Sequence, residues 1–271
     1  MSEAKLVNDT PQPRTRETLV HDLKHLGLTS RMTVIVHSSL STIGWICGGP
    51  VAVIQAIMDV ITSEGTIVMP THSGDLSDPS GWQNPPVPES WWSTIQETMP
   101  AYDPGITPTR GMGRIVEVFR TWPRVKRSSH PTLSFAAWGA NASQIIMNHE
   151  LDYSMGETSP LARIYDLDGW VLLLGVDYTY NTSFHLAEYR MPGVNIVEQG
   201  APIIESKQRV WKVYRDIELD ASPFEELGAA FELRTQVHKG KVGSAQARLF
   251  PQRQAVDFAV EWLTLHRDDG M

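Results

Sequence analysis

Apolar residues form short, unbroken blocks at three places in the chain: TVIV at 33–36, TIVM at 66–69 and WVLLLGV at 170–176. Blocks of this length, rich in branched side chains and bounded by polar or glycine positions, read as strands buried on both faces. Between the first two lies VAVIQAIMDVI, 51–61, with Pro50 well placed for a helix start and Gly65 beyond its end. A strand–helix–strand unit predicts parallel strands lying under helices. Leu19, Leu23 and Leu26 are spaced for a helix over 15–26 that stops at Gly27. Further helices are predicted over 109–120 with Thr109 as N-cap, 140–149, 185–190, 223–234 and 251–266. APIIESKQRVWKVYRDIEL, 201–219, alternates around a polar turn and predicts a hairpin. Residues 1–13 are polar and contain prolines, which predicts a disordered tail. The stretch 73–108 is rich in Pro, Trp, Asp and Ser and predicts a long binding loop or lid. The predicted fold is α/β: a single domain over 1–271 with a mixed, largely buried β-sheet and helices on both faces.

Composition narrows the partners. Apolar residues are 41% and charged residues 20%, which suits a globular chain with a sizeable core. The formal net charge of -8 disfavours nucleic acid or an anionic membrane surface and suits a cationic small molecule. A single cysteine, Cys47, excludes an intramolecular disulfide and a thiolate zinc cage. Followed by two glycines and with no histidine beside it in sequence, it reads as a small buried thiol rather than a nucleophile. No apolar stretch reaches the ~20 residues needed to span a bilayer, and no signal-like run opens the chain, so a cytoplasmic location is expected.

The candidate chemistry sits where the apolar blocks end. TVIV runs into His37-Ser38-Ser39, TIVMP into Thr71-His72-Ser73, and WVLLLGV into Asp177 and then NTSFHLAE, 181–188. Ligands of open α/β sheets bind beyond the carboxyl ends of the strands, so three such ends predict one pocket. Asn181 or Thr182 is a natural cap, which puts His185 in the first turn of a helix. The positive end of the helix disfavours imidazolium there, as a general base requires. Glu188 lies three residues on, on the same face, and can orient the ring and stabilise its cation. Asp177 competes for that role. A lone histidine at a helix start is more often structural; the conjunction with Glu188, Asp177 and a strand end favours proton transfer.

Anion-binding equipment is also present. Ser38 to Gly49 is a glycine-containing loop leading to a helix start at Pro50, and Thr109-Arg110-Gly111 opens a second one. Arg124, Lys126 and Arg127 add positive charge near Ser128 and His130, although a basic turn of this kind is usually a solvated surface.

Taken together, HSSLSTIGWICGG, GTIVMPTHS, TPTRGMGRIVEVFR, RSSHPTLSFAAWG, SPLARIYDLDGWVLLLGV and NTSFHLAE resemble the aminoglycoside 3-N-acetyltransferase family. They run in order from 37 to 188, and the similarity continues to the C-terminal helix. The resemblance implies a three-layer α/β sandwich distinct from the common acetyltransferase fold, with acetyl-CoA as donor, no metal and an aminoglycoside amine as acceptor. It implies His185 as the catalytic base, with Glu188 and Thr182 beside it. Contacts to CoA are implied at Ser38, Ser39, Leu40, Ile43 and Gly44, along Thr109, Arg110, Met112 and Gly113, and at Arg127 and His130. Thr71, His72 and Asp177 are candidate acceptor contacts, and Asp75, Asp78, Glu89 and Glu157 are candidates to hold a polycation, each equally readable as a surface carboxylate. A homodimer is implied by the resemblance alone. The segment 73–105 varies among members, so the acceptor stays open. The rival readings are a transferase for a non-antibiotic amine, a metal hydrolase built on His37, His72, His130, His185 and Glu188, and a CoA-binding protein without turnover.

Overall fold

The computed structural model describes residues 3–267. Its strands are β1 (Thr33–Ser38), β2 (Thr66–Pro70), β3 (Lys126–Arg127), β4 (Phe135–Gly139), β5 (Trp170–Leu174), β6 (Ile196–Glu205), β7 (Gln208–Ile217), β8 (His238–Val242) and β9 (Ala245–Pro251). The helices are α1 (Glu3–Asp9), α2 (Arg16–Leu26), α3 (Gly49–Ile61), α4 (Trp92–Thr98), α5 (Gly113–Arg120), α6 (Ala142–Ile146), α7 (Pro160–Asp166), α8 (Ser183–Arg190), α9 (Phe224–Arg234) and α10 (Gln252–Arg267).

The main sheet runs β3-β4-β2-β1-β5-β9-β8. At its centre β1 is parallel to both β2 and β5. The outer pairs, β2–β4, β4–β3, β5–β9 and β9–β8, are antiparallel. The continuous apolar blocks resolve into two faces. Val34, Val36, Met69, Leu172 and Leu174 pack with residues of α2, α3 and α5. Ile35, Val68, Val171 and Leu173 pack on the other side with Leu161, Phe184, Phe231 and Val256, from α7 to α10. Period-two alternation is thus preserved, but both faces are covered, which removes any polar signal from these strands. The expected α/β architecture is borne out.

A separate two-stranded ribbon, β6–β7, closes through Ser206 and Lys207, at φ 52° and 66°. Two residues of positive φ between antiparallel strands make the turn whose twist matches the strands it joins. The ribbon fixes the long 73–108 segment. Arg209 donates to the carbonyls of Gln96 and Met99, and the Tyr102 N–H donates to the Pro202 carbonyl at 3.0 Å. That segment consists of short helical turns and α4 rather than an unstructured loop.

Several local expectations are corrected. Residues 3–9 form α1, and Thr10 accepts a 2.8 Å bond from the Trp45 N–H, so the N-terminal region is docked rather than frayed there. The helix expected from Thr109 begins at Gly113, because Glu117 accepts from both the Thr109 N–H and hydroxyl and holds that residue in a turn. The helix expected over 140–149 spans only Ala142–Ile146. Cys47, expected to be buried, is exposed.

Candidate functional site

Because β2, β1 and β5 are neighbours and parallel, their carboxyl ends lie along one edge of the sheet. The three polar ends read from the sequence are therefore brought together. They open onto a cleft of about 1010 Å³ lined by His37, Ser38, Ser39 and Leu40 from the end of β1, Gly175 to Asp177 beyond β5, and Met112 and Gly113 at the start of α5. Leu6 of α1 reaches the same cleft. A second cleft of about 740 Å³ adjoins it, walled by Gly74 and Ser77, Arg110, Thr132 and the β6–β7 ribbon. Among the described residues, His72 alone lines both.

His185 faces the larger cleft from the first turn of α8. Its Nδ1 is held by Glu188 Oε2, and the other carboxylate oxygen of Glu188 accepts from the Asp220 N–H at 2.9 Å. The His185 ring packs on Phe224 with centroids 4.8 Å apart. Side-chain exposure is 15% for His185 and 7% for Glu188, so the pair is shielded from bulk water while the ring reaches the cleft. Asp177 does not compete for the ring: its carboxylate accepts from the Thr179 N–H at 3.0 Å and from the Thr179 hydroxyl. It caps the short turn Tyr178–Tyr180 and lines the cleft. Thr182 also lines the cleft, and its side chain makes no capping bond. The capping bond comes from Asn181, whose side-chain oxygen accepts from the Ser183 N–H at 3.3 Å.

Two further imidazoles share this space. His37 and His72 each keep a buried Nε2 with no hydrogen-bond partner. Burial first, then the nearby His185 ring, pushes both down to about 3, so both are neutral at any ordinary pH.

Other sequence candidates are placed elsewhere. Ile43 is fully buried in the core, and its carbonyl accepts from the Ser244 N–H at 2.9 Å. Gly44, at φ 100°, packs against Thr10 and Ser244, and neither residue lines a cleft. Thr109 is held by Glu117, and Arg110 turns to the second cleft and pairs with Asp75. Arg127 is buried, not solvated. It donates to the carbonyls of Thr107 and Thr71 at 2.5 and 2.6 Å, to Ser73 at 2.8 Å and to Ser134 at 3.0 Å. Its guanidinium also lies 5.2 Å from the Tyr102 ring centre. His130 accepts from the Leu133 N–H at 3.0 Å and stacks on His149, with burial holding it well below its ordinary range. Neither Arg127 nor His130 lines the cleft for an anion. Thr71 is buried against Ser134, and Glu157 is tied to Arg190 at 2.7 Å outside both clefts.

Sequence reasoning missed the wall of the second cleft: Gln199, Tyr214, Asp216 and Glu218. Val197 pairs with Asp216 and Gln199 with Tyr214, so these residues share one face of the ribbon. Asp216 is 3% exposed and accepts from the hydroxyls of Ser154 and Tyr189. Among the described residues no cationic side chain pairs with it. The signal was available in YRDIEL, where acidic residues alternate with apolar ones along a strand.

Two clefts that share His72, one of them lined by the ring of a histidine–carboxylate pair, have the layout of an enzyme with two pockets. The sequence matches the model of the aminoglycoside 3-N-acetyltransferase family over residues 35–264. It is 55% identical to the SPbeta prophage-derived aminoglycoside N(3')-acetyltransferase-like protein YokD of Bacillus subtilis (strain 168), over 95% of each chain. The crystal structure of YokD aligns with a TM-score of 0.97 at 53% identity, covering 99% of this chain and 100% of that one. Aminoglycoside N(3)-acetyltransferase VII of Streptomyces paromomycinus is 35% identical over 97% of this chain and 96% of its own. A structure of AAC-IIIb in binary complex with CoASH aligns with a TM-score of 0.83 at 30% identity, covering 93% and 97%. The chain belongs to the aminoglycoside 3-N-acetyltransferase family, as its motifs led one to expect.

Proposed function

We propose that this protein transfers the acetyl group of acetyl-CoA to the 3-amino group of the 2-deoxystreptamine ring of aminoglycoside antibiotics, with His185 as general base. The observation that carries this reading is the His185–Glu188 pair, whose ring lines the larger cleft, the one that shares His72 with the smaller. A base oriented at Nδ1 by a buried carboxylate has its other nitrogen left for substrate, and the carboxylate stabilises the imidazolium that forms.

The larger cleft is the donor side of this reading. Backbone of the Gly111–Gly113 turn at the start of α5 and the Ser38–Leu40 loop suit an elongated, anionic co-substrate. The AAC-IIIb complex with CoASH supports the assignment. The smaller cleft is the acceptor side. Asp216 and Glu218 give it the negative charge that a polyamine requires, and a carboxylate buried without a cation favours a cationic ligand. His185 removes a proton from the acceptor amine as it attacks the thioester carbonyl, and then returns a proton to the departing thiolate. Glu188 holds the ring in one orientation throughout. Acetylation would neutralise one ammonium of the drug and thereby confer resistance.

The test is thiol release from acetyl-CoA with paired aminoglycosides that carry or lack a free 3-amine. Release only with the amine is expected. Binding of CoA without release for any aminoglycoside would overturn the acceptor assignment and direct attention to other amines.

A further inference from the structure

We infer that His72 is a catalytic residue of the transfer, donating a hydrogen bond through its neutral imidazole to the thioester oxygen as that oxygen becomes an oxyanion. The inference rests on the acyl-transfer reading above and adds a group to it.

The position is the first argument. Donor and acceptor must meet at one carbonyl carbon, and among the described residues His72 alone is on the walls of both clefts. It follows β2 directly, beside the end of β1 that carries His37. The second argument is its hydrogen-bond state. Buried polar atoms in folded proteins are nearly always partnered, yet Nε2 of His72 is not. The other buried histidine rings behind the clefts, His130 and His149, are held by protein groups such as the Leu151 and Ser154 carbonyls. The third is rigidity. The His72 ring packs edge-on against Phe135, centroids 5.6 Å apart at 82°. Its own carbonyl accepts from the Arg110 N–H at 2.9 Å. A donor held in place needs little reorganisation when charge develops beside it. The depressed basicity already described keeps the ring uncharged, so it polarises the carbonyl without competing with His185 for the proton.

The electron count is simple. The amine lone pair forms the C–N bond while the C=O π pair moves onto oxygen, where the N–H of the neutral His72 ring stabilises it. The pair returns, the C–S bond breaks, and the thiolate leaves with a proton from His185. The net products are an amide and a free thiol.

The test compares His72→Leu, His72→Phe and His72→Gln with the unaltered enzyme, using thiol release for kcat and calorimetric titration for CoA and acceptor affinity. Loss of one oxyanion donor lowers kcat by about 10²–10³-fold, so both apolar variants should show that loss with affinities unchanged. His72→Gln, which retains an N–H, should recover part of it. The kcat–pH profile should keep its shape in all three, because His72 stays neutral and carries no proton in the transfer. The inference fails if a folded apolar variant keeps its kcat, if the loss appears only in acceptor affinity, or if one limb of the profile disappears. Absence of turnover in the unaltered enzyme would instead overturn the acyl-transfer reading.

Discussion

Two groups of histidines meet at Phe135, which both the His72 and His149 rings contact, and they do opposite things. His37, His72 and His185 face the clefts with ring nitrogens left over or held ready by Glu188. His130 and His149 stack on each other at 4.9 Å and spend their nitrogens on Leu133, Leu151, Ser128 and Ser154. Arg127 belongs with the second cluster, every donor turned inward. Both regions read alike in sequence, as histidines among serines and threonines. The difference is the supply of local acceptors: where the backbone satisfies a ring it becomes structure, and where it does not the ring is available for substrate.

That contrast can be broken most decisively at His185. His185→Ala should lower kcat by about 10²–10⁴-fold while CoA still binds. Thiol release and calorimetry read the two separately, and unchanged turnover would remove His185 from the chemistry. The matching change in the inward cluster is Arg127→Met. It removes the Arg127 donor from the part-buried Thr107 carbonyl, while the Thr71 carbonyl keeps the Ser134 hydroxyl, and at about 1–3 kcal/mol for an unsatisfied group it should lower stability by about 2 kcal/mol in urea titrations. The kcat of the folded fraction should stay near that of the unaltered enzyme; a kcat falling in step with His185→Ala would erase the distinction.

Acid sharpens the same comparison from the side of stability. Burial holds His37 and His72 down to about 3 and His149 to about 4, against an unfolded value near 6.5. The unfolded chain therefore binds more protons between those limits, and stability is complete above pH ~6.5 and declines as pH falls toward 4 and then 3. Each such histidine contributes a slope of about 1.4 kcal/mol per pH unit, so Tm should fall steeply through that window. A flat profile would mean the rings are not neutral in the fold. The smallest effect is expected at the second cleft. Asp216→Asn should raise the acceptor KM about tenfold, the scale of one charged hydrogen bond, and leave CoA affinity unchanged.

The sequence made the centre of the fold legible because β1, β2 and β5 are apolar on both faces, a pattern few other elements share. It also made His185 and Glu188 legible, because a spacing of three on a helix is a contact in any fold. It hid β8, whose HKGKV is mostly exposed at the sheet edge and carries no apolar pattern. It hid β3, only two residues long. It misassigned Arg127 because burial of a guanidinium depends on carbonyls at 71 and 107, far away in the chain. The acidic wall around Asp216 was out of reach for the same reason: whether an alternating strand faces water or a cleft is decided by what packs beside it.

The Ser206–Lys207 turn acquires a role at a distance from this. The cleft-facing residues of the ribbon lie six or more pairs from the turn, about 20 Å at strand spacing. Their facing is nevertheless set by the register that the turn imposes, since a slip of one position sends every side chain of a strand to the opposite side. Gain or loss of a single residue in that turn would exchange Tyr214, Asp216 and Glu218 for the side of the ribbon that carries Val213 and Arg215. On the reading proposed above, one exposed hairpin tip thus sets which of two ribbon surfaces meets the acceptor, far from the donor cleft and from His185.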